Sequence, residues 1–299
     1  MQPIKATFLD EITYDIPSQN WSKEQWGQDM DYMLESGIDT IVLIRGYFNG
    51  KCLFDSKKIP NVRHDDNFLE MILDEADKRN MKVFVGGYIE TIDWNGDYKH
   101  EIEMNNIFME EVEEIYGHHK SFYGWYIPHE TGNNILGIPY IVKGICDKAK
   151  QLNPNRKTLL SPFFQSETLN VPKDQVLSPE QMYEEWDEIF DICGENLDFC
   201  AWQDASAPIQ QVREYFVNVA KACRKHNIEC WDNTELFEHE IKTQGFFPIN
   251  FESLQYKINL LGDLVDRFMC FEFSHFMSPQ SMFPSAKNLF NRYNSYYKK

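Results

Sequence analysis

The sequence of 299 residues predicts a single (β/α)8 TIM barrel that spans residues 1–299. Eight apolar segments alternate with segments of helical periodicity, and eight strand–helix units are the number that builds this barrel. Matching positions in successive predicted strands lie 30 to 43 residues apart, which suits one unit with moderate loop insertions. A doubly wound open sheet also alternates strands and helices, but it should carry a glycine-rich phosphate turn after the first strand. Asp10-Glu-Ile-Thr13 is not such a turn.

The strands are predicted from β-branched and aromatic runs. Thr40–Arg45 is β-branched and continuous, as expected of a strand that is covered on both faces. Pro128 ends the fourth strand, because proline cannot donate to a sheet ladder. The predicted strands are residues 6–10, 40–45, 81–88, 122–127, 158–162, 197–202, 228–233 and 267–273.

The helices are predicted from caps and from apolar spacing. Ser22 is a plausible N-cap for the first helix, which Gly37 ends. In the second helix Phe68, Ile72 and Ala76 recur four residues apart. The predicted helices are residues 23–35, 67–79, 99–116, 138–152, 179–191, 209–225 and 281–297. A long irregular connection, residues 163–177, precedes the fifth helix, and the segment between the seventh and eighth strands is given no helix.

Charge excludes several classes of partner. The formal net charge is −18, from 47 acidic and 29 basic residues. Such a chain repels nucleic acid and anionic membrane surfaces, so neither is an expected partner. No apolar run approaches the roughly 18 residues that a membrane span requires. The composition leaves the oligomeric state open.

Cysteines and the N-terminus bear on the compartment. The seven cysteines lack CxxC spacing, and most stand in apolar runs, which predicts buried free thiols in a reducing setting. Residues 1–5 lack the pattern of a signal peptide, which fits a cytoplasmic protein as written. A signal peptide removed from the natural chain would instead fit a secreted or periplasmic protein.

The carboxyl ends of barrel strands share one face, and that face carries the active site of barrel enzymes. The predicted ends here are rich in carboxylates and aromatic rings, with one arginine. Polyols suit such a surface, because carboxylates accept hydroxyl hydrogen bonds and aromatic rings cover C–H groups. The residues expected to bind substrate are Asp10, Arg45, Tyr47, Tyr88, Glu90, Tyr126, His129, Trp202, Asp204, Trp231, Asn233, Glu272 and His275.

Two carboxylates are the candidate catalytic residues. Glu130 follows the fourth strand and Glu235 follows the seventh, and these strands lie nearly opposite each other across a barrel mouth. Glycoside hydrolysis uses such a pair, about 5–5.5 Å apart in retaining enzymes and about 6.5–9.5 Å apart in inverting ones. Asp204 or Glu272 would replace Glu235 if the strand boundary were shifted, and Arg45 is expected to pair with the inner carboxylates.

A family resemblance rests on Gly124-Trp-Tyr-Ile-Pro-His-Glu130 and Trp231-Asp-Asn-Thr-Glu235. In their positions after strands four and seven, these motifs resemble those of a clan of retaining glycosidases. More closely, the whole chain resembles an uncharacterised family of barrels regarded as glycoside hydrolases. The resemblance implies that Glu130 is the acid/base and Glu235 the nucleophile. The sequence departs from the clan at His129, where asparagine is usual, and at Trp202-Gln-Asp204, where an aromatic hydroxyl is frequent.

The predicted function is therefore hydrolysis of an oligo- or polysaccharide with retention, without a cofactor. Burial among Tyr126 and neighbouring rings is expected to raise the pKa of Glu130, while Glu235 stays ionised. One alternative is a barrel that binds carbohydrate without cleaving it. Another is a metal-dependent hydrolase or isomerase, but the sequence contains no HExxH motif and no metal is expected.

Overall fold

The computed structural model describes residues 3–13, 16, 18–60, 63–64, 67–91, 96–133, 136–169, 171–239 and 245–298. Eight parallel strands close into a barrel in the order in which they occur along the chain, which confirms the (β/α)8 prediction. The barrel strands are β1 (Ile4–Leu9), β2 (Thr40–Leu43), β3 (Lys82–Gly86), β4 (Phe122–Ile127), β5 (Lys157–Leu160), β6 (Phe199–Gln203), β7 (Glu229–Glu235) and β8 (Arg267–Phe271).

Helices surround the barrel. They are α1 (Lys23–Glu35), α2 (Phe68–Arg79), α3 (Tyr98–Tyr116), α4 (Ile138–Leu152), α5 (Pro179–Cys193), α6 (Val212–Lys225), α7 (Phe251–Leu261) and α8 (Pro284–Tyr297). Helix α7 was not predicted. Asn250 caps it by accepting a hydrogen bond from the Ser253 backbone N–H at 2.9 Å. Phe273, predicted as the end of the eighth strand, instead begins a one-turn helix, Phe273–Phe276.

Local capping explains where the predicted helices begin. Ser22 and Gln25 form a capping box at the start of α1, and Ser178 and Gln181 form a second one at the start of α5. Helix α8 begins three residues later than predicted, at Pro284. Proline is favoured at this first helical position, because its missing N–H would have no partner inside the helix.

The predicted third strand is divided. Strand β3 ends at Gly86, and Tyr88–Ile89 leaves the barrel to pair with Tyr47–Phe48 in a small four-stranded sheet. The backbone passes so closely here that a Cβ on Gly46 would lie 2.4 Å from the Gly86 carbonyl oxygen. Only glycine fits at such an approach. A second excursion, the hairpin of Phe237–His239 and Phe246–Pro248, follows β7.

Aromatic rings fill the barrel interior. Phe8, Phe84, Tyr126, Phe199 and Trp231 belong to one buried cluster inside the strands, and a larger apolar cluster lies between the strands and the helices. All seven cysteines are buried and none forms a disulfide, as predicted. Among the described residues, no helix is both long enough and apolar enough to cross a bilayer.

Candidate active site

Glu130 and Glu235 line the same pocket, of about 140 Å³, at the carboxyl end of the barrel. Glu235 is the last residue of β7, and side chains alternate along a strand, so it shares the inward face with Trp231 and Asn233. Glu130 lies three residues beyond the end of β4. The pocket brings these two predicted catalytic carboxyls together. Its other lining residues are Phe8, Ile44, Gln203, Asn233, Phe237, Phe246 and Phe271.

Glu130 is held from the side of β2. The Arg45 guanidinium is buried, and its Nη2 lies 3.7 Å from Glu130 Oε1. Arg45 Nη1 donates to Thr13 Oγ1 at 2.9 Å, and Thr13 Oγ1 donates to Asp10 Oδ1 at 2.7 Å. This chain of contacts fixes Arg45, and the prediction that it pairs with an inner carboxylate is confirmed. Asp10 acts within the turn after β1, since its Oδ1 also accepts the Thr13 backbone N–H.

The predicted burial of Glu130 among aromatic rings is wrong. About a third of its side chain is exposed, at 32%. Tyr126 lies inside the barrel, fully buried, with its ring centroid 5.1 Å from that of Phe8. Burial raises the pKa of Tyr126 well above its ordinary value, and the charge of Glu130 adds to this effect. Glu130 escapes burial because it lies in the loop, beyond the closely packed layers of the strands.

The backbone of Glu235 is held by an ion pair. Lys257 Nζ on α7 lies 2.9 Å from Asp204 Oδ1; the Asp204 side chain is buried and that of Lys257 is 12% exposed. Asp204 Oδ1 accepts the Glu235 backbone N–H at 3.2 Å, and Lys257 Nζ donates to the Glu235 carbonyl oxygen at 3.4 Å. The pair therefore contacts both backbone polar groups of the candidate nucleophile.

The pKa of Glu235 is higher than expected for a carboxyl group that stays ionised. Burial raises the pKa of Glu235 to about 8, the charge of Lys257 opposes this, and Asp204 and Glu130 add to it. Burial acts to lower the pKa of Lys257, but the charges of Asp204 and Glu235 more than offset it, so that pKa is raised. A proton on Glu235 is thus favoured up to mildly alkaline pH.

Asp232 faces away from the pocket, on the outer side of β7. Burial raises the pKa of Asp232 well above its ordinary value, and the neighbouring charge of Asp204 adds to this effect. The hydroxyl of Thr234, on the same side of the strand, donates to Asp232. The carboxyl on the inner face is therefore Glu235 and not Asp232.

The predicted tryptophans do not reach the mouth. Trp202 packs outside the barrel, with ring centroids 4.8 Å from Trp186 and 5.3 Å from Phe164. Trp231 points inward but lies deep in the barrel, stacked on Phe199 at 4.6 Å, and its indole N–H donates to Glu229 at the start of β7. Neither lines the pocket, so their prediction as substrate-binding residues is wrong.

Several other predicted substrate-binding residues have structural contacts instead. Tyr47 and Tyr88 are buried and stack on each other at 4.5 Å in the small sheet, where the Tyr88 hydroxyl donates to Glu90. Glu272 and His275 are both buried and hydrogen-bonded to each other. These side chains do not line the pocket that contains Glu130 and Glu235, which corrects their predicted place at the mouth.

His129 lies next to Glu130 in sequence but faces helix α3. Its ring is buried, and Nε2 lies 3.0 Å from a carboxylate oxygen of Glu101, which is also buried. The predicted contact between His129 and substrate is therefore wrong. At the position where the resembled clan has asparagine, this chain therefore has a buried histidine that pairs with Glu101 on α3.

We expect His129→Asn to destabilise the protein by about 1–3 kcal/mol, because the shorter side chain leaves the buried Glu101 carboxylate without this hydrogen bond. Urea unfolding measures the loss. His118→Asn, at an exposed turn position, is the matched control and should change stability by less than about 0.5 kcal/mol. Unchanged stability in His129→Asn, or a gain of glycosidase activity, would contradict this placement of the ring.

Lys257 is the main site residue that the sequence analysis missed. It lies on α7, far along the chain from any predicted strand end. Phe251, Leu254, Ile258 and Leu261 are the buried residues of α7, and this spacing is the signal that could have revealed the helix. Within the described ranges, no group of three or more His, Cys, Asp and Glu side chains is placed to hold a metal ion.

Comparison with known proteins gives one family and a set of similar folds. A family model described as "Domain of unknown function (DUF4434)" matches residues 4–283. A Bacteroides thetaiotaomicron protein, whose crystal structure is described as that of a "putative alpha-L-fucosidase", is 33% identical with a TM-score of 0.89. The match covers 99% of this chain and 94% of that one. A search of curated proteins found no match.

More distant solved structures share the fold alone. The GH2 β-galacturonidase from Eisenbergiella tayi is 11% identical with a TM-score of 0.60, over 98% of this chain and 51% of that one. The β-D-glucuronidase from Dictyoglomus thermophilum is 12% identical with a TM-score of 0.57, over 98% and 50%. The chain spans about half the length of these two proteins. These two proteins are described as glycosidases, and the likeness to them shows a shared barrel fold.

Proposed function

The chain belongs to the DUF4434 family, and from this premise we propose that it is a glycoside hydrolase that acts on oligo- or polysaccharides. The observation that carries the proposal is the convergence of Glu130 and Glu235, from opposite sides of the barrel mouth, on one pocket. A carboxyl pair that flanks one bond is the machinery of glycoside hydrolysis. The 33% identical barrel described as a "putative alpha-L-fucosidase" supports the same class of reaction.

The two carboxyls have different roles in the proposed mechanism. Glu130 donates a proton to the leaving oxygen, Glu235 attacks the anomeric carbon, and a water that Glu130 deprotonates then releases the sugar with retention. The productive form therefore carries one proton on the pair, placed on Glu130. Lys257 stabilises the ionised form of Glu235 in this state, since its charge acts against the pKa increase that burial causes.

Asn233 and Arg45 flank these groups. Asn233 is two residues before Glu235 on the same inward face, and it lines the pocket beside it. Arg45 holds the Glu130 carboxylate at the opposite wall. The apolar rim of Phe237, Phe246 and Phe271 suits the C–H face of a sugar ring and limits the access of water.

The test is release of the aryl group from a panel of nitrophenyl glycosides that covers both anomers of the common neutral hexoses, pentoses and deoxyhexoses. We expect turnover of at least one of them, with kcat/KM falling above about pH 8. The sign follows from the pair, which needs one proton to react: Glu235 holds a proton up to its pKa of about 8, and loss of that proton leaves the pair with none to donate to the leaving oxygen.

The anomer released first, observed by proton NMR during the initial turnovers, tests retention. An inverted product would leave glycosidase activity in place but remove Glu235 as nucleophile. Saturable sugar binding without turnover of any glycoside would instead identify a binding protein, and the proposed function would then be wrong.

A further inference from the structure

A second, larger cleft opens beside the mouth. It has a volume of about 540 Å³ and lies between the loop after β6, the hairpin after β7 and one face of α7. Sites for small molecules usually have volumes of about 300–1,000 Å³, and the mouth pocket of about 140 Å³ falls below this range. Glu235 and Phe237 line both spaces, so the cleft continues directly from the candidate catalytic pocket.

The walls and floor of the cleft differ in character. Ile209 and Tyr256 are apolar wall residues of the cleft, and both are exposed, at 41% and 55%. The Asp204–Lys257 ion pair forms part of the floor. The carboxylates of Glu238 and Glu252 also line the cleft and can accept hydrogen bonds from hydroxyl groups. An aromatic wall beside such acceptors suits a sugar ring.

Charge defines the kind of sugar. The described residues of the lining include four acidic ones, Asp204, Glu235, Glu238 and Glu252, and one basic one, Lys257. Lys257 is already engaged by Asp204 and by the Glu235 carbonyl, and Arg292 is paired with the lining residue Glu252. Among the described residues, the lining therefore offers no unengaged cation to neutralise a uronate, sulfate or phosphate, and a neutral residue is favoured.

The position of the cleft relative to the two carboxyls determines which part of the substrate can enter it. In a displacement, the nucleophile attacks the anomeric carbon from the side opposite the leaving group, and the acid lies near the leaving oxygen. Glu235 lines the cleft, whereas Glu130 does not. The leaving group therefore departs away from the cleft, and only a substituent of the retained sugar can enter it.

We propose that this cleft binds a neutral sugar residue attached to the retained side of the cleaved sugar, so that the preferred substrate is an oligosaccharide and not a single glycoside. The assignment of the cleft to the retained side of the substrate rests on the proposed function. The binding of an uncleaved oligosaccharide tests it separately, because binding does not require turnover.

The binding experiment is calorimetric titration of Glu130→Gln with neutral trisaccharides (cellotriose, laminaritriose, mannotriose and xylotriose) and with trigalacturonate as the anionic comparison. We expect at least one neutral trisaccharide to bind more tightly than trigalacturonate. Adding Tyr256→Ala should weaken that binding about threefold to tenfold, which is the contribution of one aromatic face. Adding Tyr256→Phe should leave it within twofold.

Tyr140→Ala, which removes an equally exposed tyrosine from α4, is the matched control and should not change binding. Failure of every neutral trisaccharide to bind, preference for trigalacturonate, or binding that Tyr256→Ala leaves unchanged would each overturn the inference. Binding that depends on Tyr256, in a protein that hydrolyses no glycoside, would retain the neutral-sugar site while the proposed function failed.

Discussion

Replacement of Glu130 by glutamine is expected to lower kcat for glycosides with poor leaving groups by about 10²–10⁴-fold, the usual contribution of a general acid. Glutamine keeps the shape of the side chain but cannot donate an acidic proton to the leaving oxygen. For dinitrophenyl glycosides the rate of the first step, cleavage of the glycosidic bond, should fall far less, because dinitrophenolate departs without protonation. The measurement is kcat for nitrophenyl, dinitrophenyl and natural glycosides under one set of conditions.

Glu188→Gln, on an exposed position of α5, removes the same charge far from the barrel mouth and serves as the control. Its kcat should stay within twofold of the wild-type value. Unfolding curves establish that both variants are folded. Wild-type turnover of a natural substrate by Glu130→Gln would exclude Glu130 as the acid, and an equal loss for all leaving groups would indicate a role in binding instead.

Replacement of Lys257 by methionine is expected to destabilise the protein by about 3–5 kcal/mol, because it leaves the carboxylate of Asp204 buried without its cation. The same change removes the charge that lowers the pKa of Glu235, so the fall in kcat/KM near pH 8 should move to higher pH. Urea unfolding and the pH profile measure the two effects. If Lys257 has only a structural role, the substitution will lower the stability and leave the pH profile of kcat/KM unchanged.

A double variant separates the ion pair from simple loss of packing. Asp204→Asn combined with Lys257→Met removes both charges, so its stability should exceed that of Lys257→Met alone. Lys287→Met, on an exposed position of α8, is the matched control and should stay within about 0.5 kcal/mol of wild type. A double variant that is no more stable than Lys257→Met would show that the pair contributes nothing as a pair.

The sequence was sufficient where local chemistry determines structure. Strand β4 and helix α4 have the predicted bounds, because Pro128 ends one and Pro139, in the first turn, favours the start of the other. Glu235 lines the pocket, although it was predicted to follow a strand ending at residue 233 and β7 instead extends to Glu235 itself. The predictions for β4 and α4 depended on residues whose conformational limits act over a few neighbours, so no knowledge of tertiary packing was needed.

The remaining errors arise from tertiary packing. Phe199 and Ala201 point into the barrel, so their neighbour Trp202 must point outward, and a shift of one residue in the assumed alternation places it on the wrong face. The backbone after β4 turns His129 toward Glu101 on α3, 28 residues away in the sequence. Lys257 reaches Glu235 from a helix that the sequence analysis did not assign. No local pattern encodes these directions.

Closure of the barrel makes the pocket depend on segments from both ends of the described chain. Strand β8 joins β1 to β7, with Cys270 opposite Thr7 on one side and Thr234 on the other. Near the N-terminus, the Ile4 backbone N–H donates to the Tyr293 hydroxyl on α8 at 2.7 Å. Such long-range contacts form late, because closing a long loop costs conformational entropy before any contact compensates for it. During ribosomal synthesis, the wall that carries Glu235 therefore cannot reach its final position until β8 has emerged.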